Sequence, residues 1–316
     1  MVRIGIDVGG TNVKAGIVDE QYNVLAMARK RTGAGRDTSE VLDTIVDTAK
    51  EALREAGLSM KDVCAVGAGF PGTCNEDTGL VEYANNLGFT NVPVCEELQK
   101  RLAVPVFMEN DANVAVYGEY LAGALKGSKN CVFITLGTGV GGGILLEGKI
   151  FSGINYAGAE LGHMVINMNG MECNCGRRGC WEMYASVTAL KKQTRKAMRA
   201  HPESRMWELC PVIKYVSGKT SFDAMRLGDA VAKEVVENYI RYIGVGVINV
   251  INIFQPEHIC IGGAIAKEGD FLLDPLKKMV KEERYSRYAH KQSILCATQL
   301  NNTAGIIGAA YLDTLH

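Results

Sequence analysis

Apolar positions along this chain alternate between short continuous runs and stripes of helical period. Ile4-Gly-Ile-Asp-Val-Gly-Gly-Thr-Asn-Val-Lys-Ala-Gly-Ile-Val18 sets two β-rich runs around a glycine turn, which predicts a hairpin. Val41, Leu42, Ile45, Ala49 and Leu53 recur at helical spacing. They predict a helix from about Thr38 to Ala56, with Asp37 as N-cap and Gly57 as the stop. Val63 to Phe70 reads as a buried strand ended by Pro71-Gly72, and Val104 to Met108 as another. A helix is expected over Ala112 to Leu125. The opening pattern then returns. Cys131-Val-Phe-Ile-Thr-Leu-Gly-Thr-Gly-Val-Gly-Gly-Gly-Ile-Leu145 is again a strand, a glycine turn and a strand, offset by 128 residues from the first. Helices are expected over Ser186 to Ala200, Asp229 to Phe254 and Asn301 to Leu315, and a strand over His258 to Ile261 that runs into Gly262-Gly263. Strands alternating with helices predict an α/β protein, and the recurring turn suggests a domain-scale duplication.

Size and charge narrow the reading. At 316 residues one core usually splits, so two domains are expected. The formal net charge is −1, whereas a nucleic-acid or membrane-surface binder normally carries a basic excess. Neither partner is expected. The longest apolar stretch, Ile240 to Phe254, contains Arg241, Asn249 and Asn252 and is too short and polar for a bilayer span. Met1-Val-Arg runs into Ile4-Gly-Ile-Asp7, which puts a carboxylate inside any secretory apolar region. The expected compartment is the cytoplasm, where disulfides are rare. Seven of the ten cysteines (64, 74, 95, 131, 210, 260 and 296) are scattered and read as small buried hydrophobes.

Two motifs are decoys. Gly218-Lys-Thr220 lacks the earlier glycine and the preceding strand of a phosphate-binding P-loop. Gly137-Thr-Gly139-Val-Gly-Gly142 and Gly67-Ala-Gly69-Phe-Pro-Gly72 match a dinucleotide fingerprint in letters only, because no helix opens at their glycines. Each glycine hairpin on its own can be a tight turn and nothing more. Two in a repeated setting favour phosphate: glycines permit close approach and positive φ, and successive N–H groups form an anion nest. Thr11 and Thr138 can donate to phosphate oxygens, and Asp7 can hold Mg²⁺ directly or through water. Glu109-Asn110-Asp111-Ala-Asn113 ends a strand, where ligands of α/β proteins bind. A carboxylate there can take a proton from an attacking hydroxyl, or it can simply cap the following helix.

The sharpest signal is Glu160-Leu-Gly-His163 followed by Cys173-Asn-Cys175-Gly-Arg-Arg-Gly-Cys180-Trp-Glu182. Three thiolates and an imidazole make a tetrahedral Cys₃His set suited to zinc, with no position left for water, so a structural ion is expected. The zinc would pin Glu160 and Glu182 in place, and a polyhydroxyl ligand offers the donors such carboxylates need.

With these markers in this order, nearly the whole chain resembles the ROK family of repressors and sugar kinases, and most closely its bacterial ATP-dependent glucokinases. The resemblance implies an actin-like, hexokinase-like (ribonuclease H-like) two-domain α/β fold with a hinged active-site cleft. Residues 1–115 with 301–316 would form the smaller N-terminal domain, and 116–300 the larger one with the zinc loop. It implies Asp111 as the base on the sugar 6-hydroxyl, and Asn110 and Asp111 as holders of the 4- and 6-hydroxyls. Glu160, His163 and Glu182 would hold hydroxyls on the anomeric side, with Gly72 and Asn86 lining the pocket. Asp7, Gly9, Gly10, Thr11, Asn12, Gly137, Thr138 and Gly139 would cradle the phosphates of ATP and its Mg²⁺, with Lys14 as a further contact. Gly262 and Gly263 would approach the adenosine. His163 would serve zinc through one nitrogen and sugar through the other. Glucose is the implied substrate; N-acetylmannosamine or another hexose is the alternative, and polyphosphate an alternative donor. A sugar-sensing regulator is a distant reading, because such repressors carry a helix-turn-helix before the first glycine turn, which here begins six residues after Met1. A dimer or tetramer is implied.

Overall fold

Buried apolar runs become the central strands of this protein. The computed structural model describes residues 1–315. Its first elements are β1 (Val2–Val8), β2 (Asn12–Val18), β3 (Val24–Arg31), α1 (Thr38–Glu55), β4 (Val63–Phe70), β5 (Thr73–Asn75), β6 (Leu80–Ala84), β7 (Phe89–Val92), α2 (Val94–Leu102), β8 (Val106–Asn110) and α3 (Asp111–Ala122). Next come β9 (Cys131–Leu136), β10 (Val140–Leu146), β11 (Lys149–Ile150), α4 (Glu182–Ala185), α5 (Val187–Ala200), α6 (Met206–Leu209), α7 (Thr220–Arg226) and α8 (Ala230–Phe254). The chain closes with β12 (His258–Gly262), α9 (Asp270–Glu283), β13 (Ile294–Ala297) and α10 (Ala304–Ala310). No described helix is long and apolar enough to cross a membrane.

One sheet runs β3-β2-β1-β4-β8 and another runs β11-β10-β9-β12-β13. Counted from each glycine hairpin the two orders are the same, which gives the 128-residue recurrence a structural counterpart. A third, antiparallel sheet, β5-β6-β7, was not foreseen; its strands are too short to leave a period. The strand expected at Val104 begins at Val106 and runs on through Glu109 and Asn110, whose Cα partners are Gly69 and Phe70 of β4. The closing helix expected over Asn301 to Leu315 is α-helical only from Ala304 to Ala310. Its ends tighten into 3₁₀ turns that carry Asp313 to Arg3, at 2.8 Å, and the Tyr311 hydroxyl to the Asp19 carbonyl, at 2.6 Å.

The chain divides into two compact units. Unit 1 comprises Met1–Phe133, Gly143–Ala159 and the segment from Thr298; unit 2 comprises Ile134–Gly142 and Glu160–Ala297. These bounds differ from the sequence boundary at 115, because α3 stays with unit 1. There α3 and α10 meet backbone to backbone: a Cβ on Gly118 would strike the Ala304 carbonyl, and one on Gly308 the Val114 carbonyl. The core of unit 1 packs Ile4, Ile6, Val66 and Phe70 of the sheet against Val41, Ile45 and Ala49 of α1. Unit 2 centres on α8, where Tyr239, Ile243 and Val247 are fully buried; Trp181 packs on Gly246 and donates to the Tyr242 carbonyl at 2.7 Å.

Candidate active site and metal centre

In unit 1 the carboxyl ends of three neighbouring strands place Asp7, Gly69 and Glu109 in one cross-strand row. That end of an α/β sheet is where ligands bind. Asp7 also faces Lys14 across the hairpin, and the two form an ion pair at 2.9 Å. Both candidate phosphate-side residues are thus held to each other. The β1–β2 turn is closed by the Gly9 N–H on the Asn12 carbonyl and tied down by Thr32, which donates through its hydroxyl to Gly9 and through its N–H to Thr11. Asn86 lies against Gly10, so a sugar-side and a phosphate-side candidate are neighbours.

The glycine turns differ from expectation in one respect. Gly9, Gly10, Gly137 and Gly139 all have ordinary negative-side backbone, so positive φ is not why they are glycine. The N–H groups of Gly9 and Gly137 are also taken up in closing the turns, leaving any nest to their neighbours. What these positions supply is room. A Cβ on Gly137 would meet open space, and one on Gly139 would meet the Glu182 carboxylate. Thr11 and Thr138 are exposed at the two tips. Gly262 ends β12, and Gly263, at φ 87°, packs on the Leu136 carbonyl beside the second turn.

The question of which residue caps α3 has a definite answer. Asn110 is the N-cap: its Oδ1 accepts from the N–H of Ala112 at 2.9 Å and of Asn113 at 3.4 Å. Its Nδ2 donates to the carbonyl of Gly72 at 3.0 Å, and Gly72 turns there at φ 93°. Asp111 is therefore the first helical residue and does not cap.

In unit 2, Gly176 and Gly179 fold the 173–180 loop back on itself. Cys173 N–H donates to the Arg177 carbonyl at 2.8 Å, and Gly179 N–H to that of Met171 at 2.7 Å. The ligand atoms of His163, Cys173, Cys175 and Cys180 then lie within 4.8 Å of one another. Cys173 Sγ is 3.6 Å from His163 Nδ1, and Cys175 Sγ is 3.5 Å from Cys180 Sγ. Zinc–sulfur bonds of about 2.3 Å at tetrahedral angles give edges of roughly 3.3–3.9 Å, a range that holds both of these separations, and three thiols with an imidazole are a donor set suited to that ion. Burial pushes the Cys173 thiol up to about 12, while the N–H of Arg177 holds that of Cys175 below the ordinary thiol range.

Two carboxylates flank this loop. Glu160 Oε2 is 4.0 Å from His163 Nε2, the nitrogen away from Cys173. Burial raises the Glu160 pKa, with His163 opposing and the Glu182 charge reinforcing the shift. Glu182 Oε1 accepts from the Cys173 thiol at 3.2 Å. Glu182 therefore touches both the cysteine loop and the second glycine turn.

Sequence reasoning missed the roles of Glu109 and Ser152. Glu109 is 2% exposed and accepts from Asn110 N–H, Asn113 Nδ2 and the hydroxyl of Ser152. A glutamate ending an apolar strand was the available signal; its partner 43 residues away left none. The decoys are disposed of: β10 and β5, both strands, follow the two dinucleotide-like motifs, and no strand precedes Gly218.

The sequence profile described as the ROK family matches residues 3–314. The glucokinase of Halalkalibacterium halodurans is 35% identical over 98% of this chain and 94% of its own length. That of Thermotoga maritima is 35% identical over 97% and 95%. Among solved structures, a ROK family glucokinase from Streptomyces griseus in complex with glucose and AMPPNP superposes with a TM-score of 0.86 at 33% identity, covering 99% of each chain.

Proposed function

Because this chain belongs to the ROK family, we propose that it is an ATP-dependent glucokinase, a phosphotransferase that moves the γ-phosphoryl group of ATP to the 6-hydroxyl of glucose. The observation that carries the reading is the division of labour at α3. Asn110 takes the capping role, and the adjacent Asp111 opens the helix with a carboxylate at the carboxyl end of the sheet.

On this reading Asp111 orients the 6-hydroxyl in line with the phosphate and accepts its proton late in the transfer. Asn110 holds the 4-hydroxyl, while Glu160, His163 and Glu182 hold hydroxyls on the anomeric side, and Gly72 and Asn86 line the pocket. Thr11, Thr138 and the remaining turn N–H groups hold phosphate oxygens, and Gly262 and Gly263 approach the adenosine. Asp7 is the carboxylate that would hold the Mg²⁺ of ATP, which would neutralise phosphate charge, one carboxylate plus phosphates being a usual Mg²⁺ environment. Lys14, released from Asp7, is the cation suited to the phosphate. His163, Cys173, Cys175 and Cys180 would hold a structural zinc, which would fix the His163 ring through one nitrogen and leave the other for the sugar. A cytoplasmic homo-oligomer suits a consumer of ATP and free hexose.

The test is ADP release with a panel of glucose, N-acetylmannosamine, N-acetylglucosamine, fructose and allose. Glucose is expected to give the highest kcat/KM. A higher value for another hexose would overturn the substrate, and silence with every hexose would overturn the kinase.

A further inference from the structure

The mechanism above makes no use of the most buried carboxylate near Asp111. Glu109 has no cation near it among its hydrogen-bond partners; all three are neutral donors. Its Oε1 accepts from the Asn110 N–H at 2.5 Å and from Asn113 Nδ2 at 3.1 Å. Its Oε2 accepts from Ser152 Oγ at 3.0 Å. The first bond fixes the peptide that links Glu109 to Asn110. The second fixes the amide of Asn113 in the first turn of α3. It does so at a cost, because Asn113 Oδ1 is buried with no partner. A flipped amide would set that oxygen against the Glu109 carboxylate, so Glu109 dictates its orientation. The third bond reaches Ser152, whose carbonyl accepts from Gly158 N–H at 2.8 Å, at the two ends of the loop that leads into Glu160.

We propose that Glu109 is a positioning residue: its buried carboxylate sets the Asn110–Asp111 turn and anchors the 152–158 loop to it, so that the sugar hydroxyl and its base meet in a reactive geometry. The proposal rests on the kinase reading. It concerns geometry and not charge, which makes it separable. Gln at this position presents a carbonyl oxygen to Asn110 and Asn113 and an amide to Ser152, whose hydroxyl can turn to accept. The three contacts survive and the charge is lost. Ala removes all three.

The experiment compares Glu109→Gln, Glu109→Ala and Ser152→Ala in the full chain, with kcat and both KM values measured on the best hexose. Glu109→Ala is expected to lower kcat about 100-fold, the scale of an ångström-size misplacement of a reacting group. KM for ATP is expected to stay within about twofold, which a general loss of structure would not allow. Glu109→Gln is expected to keep kcat within about threefold, and Ser152→Ala to fall between. An unimpaired Glu109→Ala overturns the proposal. So does a Glu109→Gln as impaired as Glu109→Ala, which would assign the role to charge, or a rise in KM for ATP that matches the fall in kcat. A wild-type protein inert toward every hexose overturns the kinase reading itself and takes the proposal with it; an active wild type isolates Glu109.

Discussion

The side-chain amide of Asn110 donates to the carbonyl of Gly72 at 3.0 Å while the same side chain caps α3. One residue thus ties the start of the helix to the turn after β4. Asn110→Asp preserves the cap but cannot donate to Gly72. We expect it to cost about 1 kcal/mol, the worth of the lost hydrogen bond, since Asp and Asn cap equally well. Asn110→Ala loses cap and bond together and should cost about 2 kcal/mol. Both should raise KM for the sugar. Denaturant melts and initial rates separate the two effects, and equal sugar affinity in all three proteins would remove Asn110 from the pocket.

Asn110 supplies the cap of α3, so Asp111→Asn should keep that cap and act chiefly on chemistry. The expected loss in kcat is about 10²–10⁴-fold, the usual worth of a positioned general base. ATP affinity, read by a fluorescent nucleotide, should be unchanged. Near-normal turnover would take the base role away from Asp111.

Zinc can be checked without any activity measurement. Protein purified without chelator should contain about one equivalent per chain for a four-ligand structural site. Cys175→Ser should lower both the zinc content and the melting temperature. Less than about half an equivalent in the wild type would count against the Cys₃His site.

Acid sensitivity should arise in part at the N-terminus of α8. Burial alone would raise the pKa of Asp229, but donation from Ser204, Ala232 and Arg205 overcomes it and the net shift is downward. A carboxylate held below its unfolded value of about 3.9 gives full stabilisation above that pH and loses it as pH falls toward the folded value. Asp229→Ala should therefore cost about 1–2 kcal/mol at pH 7, with the gap to wild type narrowing below about pH 4. Urea melts at pH 7 and pH 3.5 would show it; a gap constant with pH would contradict the assignment.

Local chemistry was legible in the sequence wherever neighbours in the chain are neighbours in space. The hairpin of Asp7 to Asn12, the cap at Asp37 and the folded loop from Cys173 to Cys180 are of this kind. The cap of α3 was read with Asp111 in that role as the alternative to catalysis, because Asn and Asp cap alike and adjacent positions compete. Only the Gly72 contact, from a segment 38 residues away, shows how Asn110 is held. The link from Glu109 to Ser152, 43 residues away, was hidden for the same reason. So were β5 to β7, whose three to five residues are too few for a period to emerge.

The fit of α10 against β1 and α3 has a consequence for the order of events in synthesis. Arg3 of β1 waits for Asp313, a partner 310 residues downstream. At about 5–20 residues per second, a ribosome leaves that face of the sheet uncovered for some 15–60 seconds. During this time Gly5 and Gly67 lack the α10 backbone they are shaped to meet, and a chain without α10 should be prone to aggregate. An element made late thus governs when one made early can be trusted to stay folded.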